Sequence, residues 1–274
     1  MSNEIPQALL YLSEKRSLFI GQLGRILSPA NASSALVVSI NGELDLIDHV
    51  NKRQYRNRSF LVPAGVSATI DTHDSIIALV FLDALGVDLT TLASKMKDPI
   101  VIDNTTTIYR GIHRESNVIK RGYYLLENRP SAADALQQLD EWIGEPAPGT
   151  EVPCDERVSR AVSLIRSSYE HNVSVSEIAE EVNISVPRLV QLFKKITGVP
   201  IRRFRLWHRI YMTAVFTAEG KTLTEAAVAA GFSDYAHFSR TFKEMGGVNP
   251  SEMLSPKKNT LIRVLPPEQV LAAE

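Results

Sequence analysis

Ser174-Val175-Ser176-Glu177-Ile178-Ala179 recurs 48 residues downstream as Thr222-Leu223-Thr224-Glu225-Ala226-Ala227, and this pair decides the reading of the chain. In each copy a hydroxyl residue precedes a Glu by three positions. That is the capping-box pattern, in which the hydroxyl and the carboxylate each satisfy one orphan amide at a helix start. Each copy is followed by a break and a second capped helix, at Asn183-Ile184-Ser185 and at Gly231-Phe232-Ser233. Beyond the break the best offset becomes 49, pairing Leu189 with Phe238, Phe193 with Phe242, Lys194 with Lys243 and Gly198-Val199 with Gly247-Val248. One extra residue in the second turn accounts for the change.

A short helix, a turn and a second capped helix make a helix-turn-helix, whose second helix can enter the DNA major groove. In the first copy that helix runs from about Val186 to Thr197. Leu189, Leu192, Phe193 and Ile196 form its buried face, and Val186, Pro187, Arg188, Gln191, Lys194 and Lys195 are left outside. In the second copy Asp234 to Met245 buries Phe238 and Phe242 and leaves Asp234, Tyr235, His237, Arg240 and Lys243 near the surface. Arg grips guanine bidentately, Gln does the same to adenine, and Lys neutralises phosphate. Between the copies, Ile201 to Ala218 carries Phe204, Trp207, Ile210, Tyr211, Ala214 and Val215 at helical spacing, and Gly220 stops it. About 17 residues of helix span roughly 25 Å, enough for a rod joining the two units.

Gly231-Phe232-Ser233-Asp234, Phe238-Ser239-Arg240-Thr241-Phe242-Lys243 and Gly247-Val248-Asn249-Pro250 resemble the signature of the AraC/XylS family of bacterial transcription regulators. Ile178-Ala179, Ser185, Leu189, Phe193-Lys194-Lys195, Thr197-Gly198, Pro200 and Arg209 agree with the family's first unit and linking helix, so the resemblance covers about 155–255. It implies two DNA-reading units that enter successive major-groove segments on one face of double-stranded DNA, about one turn or ~34 Å apart. The family's base-reading positions fall here on Pro187 and Gln191, and on Tyr235, Ala236 and Arg240. Pro187 departs from the family pattern because it has no side-chain donor, which leaves the first unit to read through Gln191 and Arg188. Ala226 stands where a larger aliphatic residue is usual. The expected DNA-binding set is Arg188, Gln191, Lys194, Lys195, Tyr235, His237, Arg240 and Lys243. A homodimer working with RNA polymerase is also expected, as an activator or a repressor.

The 274 residues suffice for two domains, with 44% apolar content and a net charge of −1. The charge is divided: residues 1–154 hold 14 basic against 18 acidic residues, and 155–274 hold 16 against 13. No stretch approaches the roughly 20 apolar residues of a membrane span, and Met1-Ser2-Asn3-Glu4-Ile5-Pro6 lacks a signal-peptide layout, so a cytoplasmic location is expected. Cys154, the sole cysteine, excludes intrachain disulfides and a multi-cysteine zinc site, and no cofactor is expected.

Upstream, residues 17–82 read as strands: Ser17 to Leu27, Ala35 to Ile40, Glu43 to Ile47, Ser59 to Val62, Ser67 to Ile70 and Ile76 to Leu82. Asn41-Gly42 between two such runs signals a hairpin, because both central residues of a type I′ turn need positive φ. Pro63-Ala64-Gly65 reads as a turn, and closely spaced short strands point to a barrel or sandwich. From about Gly86 to Trp142 the pattern turns helical. Val87 to Met96 is one amphipathic helix, and Ser131 to Trp142 is a second that serves either its own core or a dimer contact. Gly144 to Pro153 carries three prolines and two glycines, as a linker does.

The expected fold class is therefore α+β in two domains. A cupin-like β-barrel with helices spans 1–143, a linker 144–154, an all-α domain of two helix-turn-helix units joined by a linker helix 155–258, and a tail 259–274 whose Leu261 to Leu265 run packs back on the last helix. In the AraC/XylS family the first domain commonly senses a small molecule, dimerises, or does both. Strands lining a barrel pocket would direct Arg25, Tyr55, Arg56 and His73 at an anionic or polar effector. His49, His73 and His113 are scattered singly, so no metal site is expected. Two readings from other classes stay open: a cupin-type enzyme with a helical accessory domain, against which stands the lack of clustered ligands or a nucleophile–base pair, and a protein-interaction adaptor, against which stand the exposed basic positions.

Overall fold

A computed structural model of the chain describes residues 8–28, 33–83, 85, 87–145, 155–168, 173–254 and 260–265. Cys154, Tyr169 and most of the expected linker lie outside them. The first part holds β1 (Ala8–Leu12), β2 (Ser17–Gln22), β3 (Arg25–Ser28), β4 (Ala35–Ser39), β5 (Leu44–Asp48), β6 (Gln54–Asn57), β7 (Ser59–Val62), β8 (Ala68–Asp71) and β9 (Ile76–Phe81). It continues with α1 (Val87–Ala93), β10 (Met96–Val101), β11 (Thr107–Ile112), α2 (Glu115–Asn128) and α3 (Ala132–Ile143). The second part holds α4 (Glu156–Ser167), α5 (Val175–Glu181), α6 (Val186–Thr197), α7 (Ile201–Ala218), α8 (Leu223–Ala229), α9 (Tyr235–Gly246), α10 (Pro250–Met253) and β12 (Thr260–Val264).

The two-domain α+β architecture is as expected, with the strands arranged as two sheets rather than one closed barrel. The larger runs β10-β11-β7-β4-β9-β2-β1-β12 and the smaller β3-β8-β5-β6. Val37, Phe60 and Leu79 of the larger sheet meet Leu44, Leu46 and Ile70 of the smaller in one apolar core. The opposite face of the larger sheet, through Leu36, Val38 and Val80, packs on Leu125 of α2 and on Leu136 and Leu139 of α3. Both faces of β4 are thus covered and every one of its residues is buried, so it reads as an apolar run without alternation.

Several local expectations give way here. Asn41-Gly42 is not a hairpin turn: β4 pairs with β7 and β9, β5 with β6 and β8, and neither Asn41 nor Gly42 has positive φ. The segment instead carries the chain from one sheet to the other. Asn41 Oδ1 accepts the Ile76 amide at 2.8 Å, and a Cβ on Gly42 would lie 2.3 Å from Ser75 Oγ. The single strand expected from Ser17 to Leu27 also breaks, at Gly24 (φ 66°), so that β2 and β3 enter different sheets. The expected helical stretch after Gly86 is interrupted by the β10–β11 hairpin, where Pro99 is tolerated because β10 is an edge strand. The apolar stripe of α3 is spent on its own sheet, and the Lys95 ammonium caps its end by donating to the Trp142 and Ile143 carbonyls.

The tail differs most. Leu261 to Leu265 does not rest on the last helix; β12 lies parallel to β1 in the register Ala8 to Thr260 through Leu12 to Val264. Its alternation explains why. Ile262 and Val264 reach the core between the sheets, whereas Leu261 and Leu265 reach the core under α2 and α3. The end of the chain is thereby tied to its beginning.

The two parts also share an interior. The core between the sheets continues into Ile210, Tyr211 and Val215 of α7 and Phe242 and Met245 of α9. Phe81 meets Trp207 edge-on at 4.7 Å, and Arg166 pairs with Asp83 at 3.0 Å with both side chains at most 15% exposed. The Leu27 amide donates to the Gly247 carbonyl at 2.9 Å. Gly247 has φ 78°, and a Cβ there would come within 2.8 Å of Ile26 Cγ2 and the Leu27 carbonyl oxygen, so glycine is required. Deleting Thr260–Glu274 removes four half-buried aliphatic side chains and should lower the unfolding free energy by about 3 kcal/mol. Hydrogen exchange at Leu9 to Leu12 should accelerate in the same variant, and unchanged protection there would show that β12 adds nothing.

Candidate nucleic-acid interface and interdomain cavity

Both helix-turn-helix units are built by the same local bonds. Ser174 and Thr222 accept the amides of Glu177 and Glu225 at 3.1 and 3.3 Å, and each Glu carboxylate accepts the cap amide in return. These hydrogen bonds, backbone first for Glu177 and side chain first for Glu225, hold both carboxyls below the usual glutamate range. At the turns Asn183 (φ 55°) and Gly231 (φ 89°) go left-handed, and the next amides, of Ile184 and Phe232, donate to Ala179 and Ala227 at 3.0 Å. All of these features keep the offset of 48. The reading helices then start at Ser185 and at Asp234, 49 apart. The second helix is capped by Asp234, not Ser233: its carboxylate accepts the His237 amide at 2.7 Å, which lowers its pKa. The extra residue therefore sits between the turn and the cap.

In α6, Leu189, Leu192 and Phe193 are buried, and Val186, Pro187, Arg188, Val190, Gln191, Lys194 and Lys195 are exposed. Arg188 Nη1 donates to Gln191 Oε1 at 3.0 Å, so the amide oxygen of Gln191 is occupied within its own helix. In α9, Phe238 and Phe242 are buried, Ala236, Arg240 and Lys243 are exposed, and Tyr235 and His237 are half-buried. His237 packs on Phe232 with ring centroids 5.3 Å apart and lies 3.2 Å from Ser233 Oγ, so its ring supports the turn. Six of the eight expected DNA-binding side chains are thus exposed, and Tyr235, which packs on Phe238, and His237 are half-buried against their neighbours.

The residues expected at an effector divide differently. Arg25, Asp71, Asp45 and Arg56 are cross-strand partners in one row of the smaller sheet. Arg56 grips Asp45 with two bonds of 2.8 Å, His73 Nε2 lies 2.8 Å from the same carboxylate, and Arg25 meets Asp71 at 3.3 Å. The Arg56 hydrogen bonds, helped by His73, hold the Asp45 carboxyl far below the carboxylate range. This ladder leaves Arg25, Arg56 and His73 about half or more exposed, and Tyr55 packs on the core between the sheets. The space between the sheets is lined by apolar side chains, Phe19 and Phe60 among them, and leaves a cavity of only about 20 Å³ beside Val37, Ile70 and Leu79. His49 is held by Ser67 and Thr69 at 2.7 and 2.8 Å, and among the described residues no His, Cys, Asp and Glu gather as metal ligands.

A cavity of about 70 Å³ instead opens between the two domains, under the β1–β2 turn, with Leu10, Phe81, Trp207, His208, Tyr211 and Phe242 among its walls. His208 is 6% exposed, and burial depresses its pKa to about 4, so the ring is neutral near pH 7. It makes a hydrogen bond to the Arg166 backbone, whereas Nε2 has no partner. Nδ1 therefore donates to the Arg166 carbonyl, and the Nε2 lone pair is bare. Tyr211 Oη likewise has no partner, and burial raises that phenol's pKa. Sequence reasoning had counted Tyr211 and Trp207 as core and passed over His208. The available signal was an imidazole three residues before a tyrosine on an apolar helix face.

Comparison with known proteins bears on both regions. A family model described as a helix-turn-helix domain matches residues 178–255. The transcriptional activator RhrA of Rhizobium meliloti is 29% identical over 123 residues, 44% of this chain and 38% of RhrA. The arabinose operon regulatory protein of Escherichia coli is 29% identical over 102 residues, 36% of this chain and 35% of that protein. The chain thus spans little more than a third of the length of these relatives. Over the whole fold, apo ToxT of Vibrio cholerae superposes with a TM-score of 0.54 at 14% identity, covering 92% of this chain and 97% of ToxT. Residues 178–255 thus form a helix-turn-helix domain similar to those of these regulators, carried within a fold like that of ToxT.

Proposed function

We propose that the protein is a sequence-specific transcription regulator that reads two successive major-groove segments of double-stranded DNA and is modulated by a small molecule held between its domains. One observation carries the DNA reading: two units with matching capping boxes and left-handed turns each leave basic side chains exposed on the second helix, and α7 joins them through a buried interior. Arg240 is assigned to guanine, Arg188, Gln191 and Tyr235 to base edges, and Lys194, Lys195 and Lys243 to phosphate. The homodimer, RNA polymerase as partner, activation of transcription and a cytoplasmic location belong to the same proposal; no helix among the described residues is long and apolar enough to cross a membrane. So does the division of the chain at 144–154.

The effector site we place at the interdomain cavity. A mostly apolar wall, which also carries Glu14, Lys15, Arg16 and Arg166 and in which His208 Nε2 and Tyr211 Oη have no partner, fits an apolar molecule with one polar end that donates to His208 Nε2 and engages Tyr211 Oη. ToxT has been crystallised with an unsaturated fatty acid, and an apolar effector with a polar end is the class we extend to this chain. At about 70 Å³ the cavity is smaller than a metabolite site of roughly 300 Å³ or more. Binding there has to part the domains, and through Arg166–Asp83 and Leu27–Gly247 it bears on both DNA-reading units.

Selection from random DNA followed by footprinting at two salt concentrations tests the main reading, and complete absence of a preferred sequence would sink it. Arg240→Ala should weaken the preferred site by about 1–3 kcal/mol and random DNA little, whereas Lys194→Ala or Lys243→Ala should weaken all DNA and lower the salt slope by about one. Equal loss on both DNAs for Arg240→Ala contradicts its base-reading role. For the cavity, the unfolded chain takes up a proton at His208 near pH 6.5 but the folded chain only near pH 4. Stability should therefore fall between those values by about 3 kcal/mol. Comparing unfolding midpoints with His208→Gln isolates the effect, and an equal acid loss in both proteins would place the imidazole in water.

A further inference from the structure

We infer that the first helix-turn-helix unit reads thymine, through the methyl groups of Val186 and Val190, so that its half-site differs in kind from the guanine-reading half-site of the second unit. The inference rests on the DNA-binding reading above. Among the described residues of 155–254, the large apolar side chains left exposed are Val186 at 37%, Val190 at 39% and Val228. Val186 and Val190 are one turn apart on the same face of α6, in the strip that continues to Lys194. A helix facing only water gains nothing from this placement. Two branched side chains one turn apart there present an apolar surface that a partner's methyl groups can cover.

The neighbouring side chains narrow the partner. Pro187, between the two valines in sequence, offers no donor. Gln191 is next to Val190, and its Oε1 is already taken by Arg188. Bidentate recognition of adenine uses both the oxygen and the NH₂ of a glutamine, so the adenine contact expected from sequence is available only if the Arg188 bond breaks. With the bond in place Gln191 offers its NH₂ alone. Thymine presents in the major groove a methyl group and, beside it, the O4 acceptor. Val190 and the Gln191 NH₂ form the matching pair: one apolar surface and one donor on consecutive residues.

The second unit lacks this surface. At the offset of 49, Tyr235 and Ser239 replace Val186 and Val190, and Arg240 replaces Gln191. Scaffold bonds are shared between the copies, but an aliphatic strip with one donor stands against a hydroxylated strip with a guanidinium.

The test uses full-length protein on the site enriched from random DNA, with each thymine in turn replaced by 2′-deoxyuridine, which lacks only the methyl. A buried methyl is worth about 0.8 kcal/mol, so affinity should fall about fourfold at one or two thymines of the first unit's half-site. At those positions Val190→Ala, an exposed change that leaves the helix intact, should bind thymine and uracil DNA within a factor of two. Equal affinity of the unaltered protein for thymine and uracil at every position overturns the inference, as does an undiminished methyl effect in the Val186→Ala, Val190→Ala double variant. Failure to enrich any sequence would instead overturn the DNA-binding reading itself.

Discussion

The burial of α7 is the constraint on which the rest of the structure depends. Ile210 to Val215 are buried at six consecutive positions, which an amphipathic surface helix cannot achieve. At its start Ile201 and Phe204 complete the core of the first unit, with Phe204 edge-on to Phe193 at 5.5 Å. Further along, Trp207 meets Phe81 of the larger sheet, and Ile210 to Val215 join α8, α9 and the space between the sheets. Polar residues along it are satisfied internally where geometry permits: Thr213 and Thr217 donate to the carbonyls four residues back at 2.9 and 2.8 Å. Eighteen residues at ~1.5 Å each make a rod of about 27 Å. The rod fixes the separation of the two units and at the same time roots both in the first domain.

What was legible in the sequence follows from how local each determinant is. Capping boxes, left-handed turn residues and the stripe of α7 act over three to seven residues, and Ser174, Thr222, Asn183 and Gly231 all do what their spacing implies. Even the slip from 48 to 49 resolves to one residue before the Asp234 cap. Sheet partnership is not local. Asn41-Gly42 has the composition of a hairpin turn, yet the strands on its two sides find better partners in different sheets, and Ser75 closes over Gly42. Alternation fails as a guide when both faces are covered, as in β4, and β12 finds its partner some 250 residues away in β1.

The same distinction separates the two expected sites. An exposed strip on a helix is a property of the helix, so Arg188, Gln191, Lys194, Arg240 and Lys243 could be named without a structure. A pocket is a property of several elements at once. Arg25, Arg56 and His73 have suitable chemistry for an effector, but cross-strand register sets them beside Asp71 and Asp45, which neutralise them. His208 and Tyr211 look like core residues on a helix face. Only the packing of α7 against the first domain leaves Nε2 and Oη at a cavity without partners.

That cavity has a consequence set by thermodynamics rather than by any single contact. A ligand shifts an equilibrium only by its difference in affinity for the two states. On the proposed function, an effector larger than the cavity of about 70 Å³ would displace its walls, and the bound and free states would then differ at the interdomain surface. The same surface carries the Leu27–Gly247 bond at the end of α9 and the Arg166–Asp83 pair at the end of α4. In that reading, DNA that demands one fixed relation between α6 and α9 would act on the contacts that such an effector disturbs. Coupling between two such sites would be reciprocal: whatever factor an effector imposed on DNA affinity, DNA would impose on effector affinity.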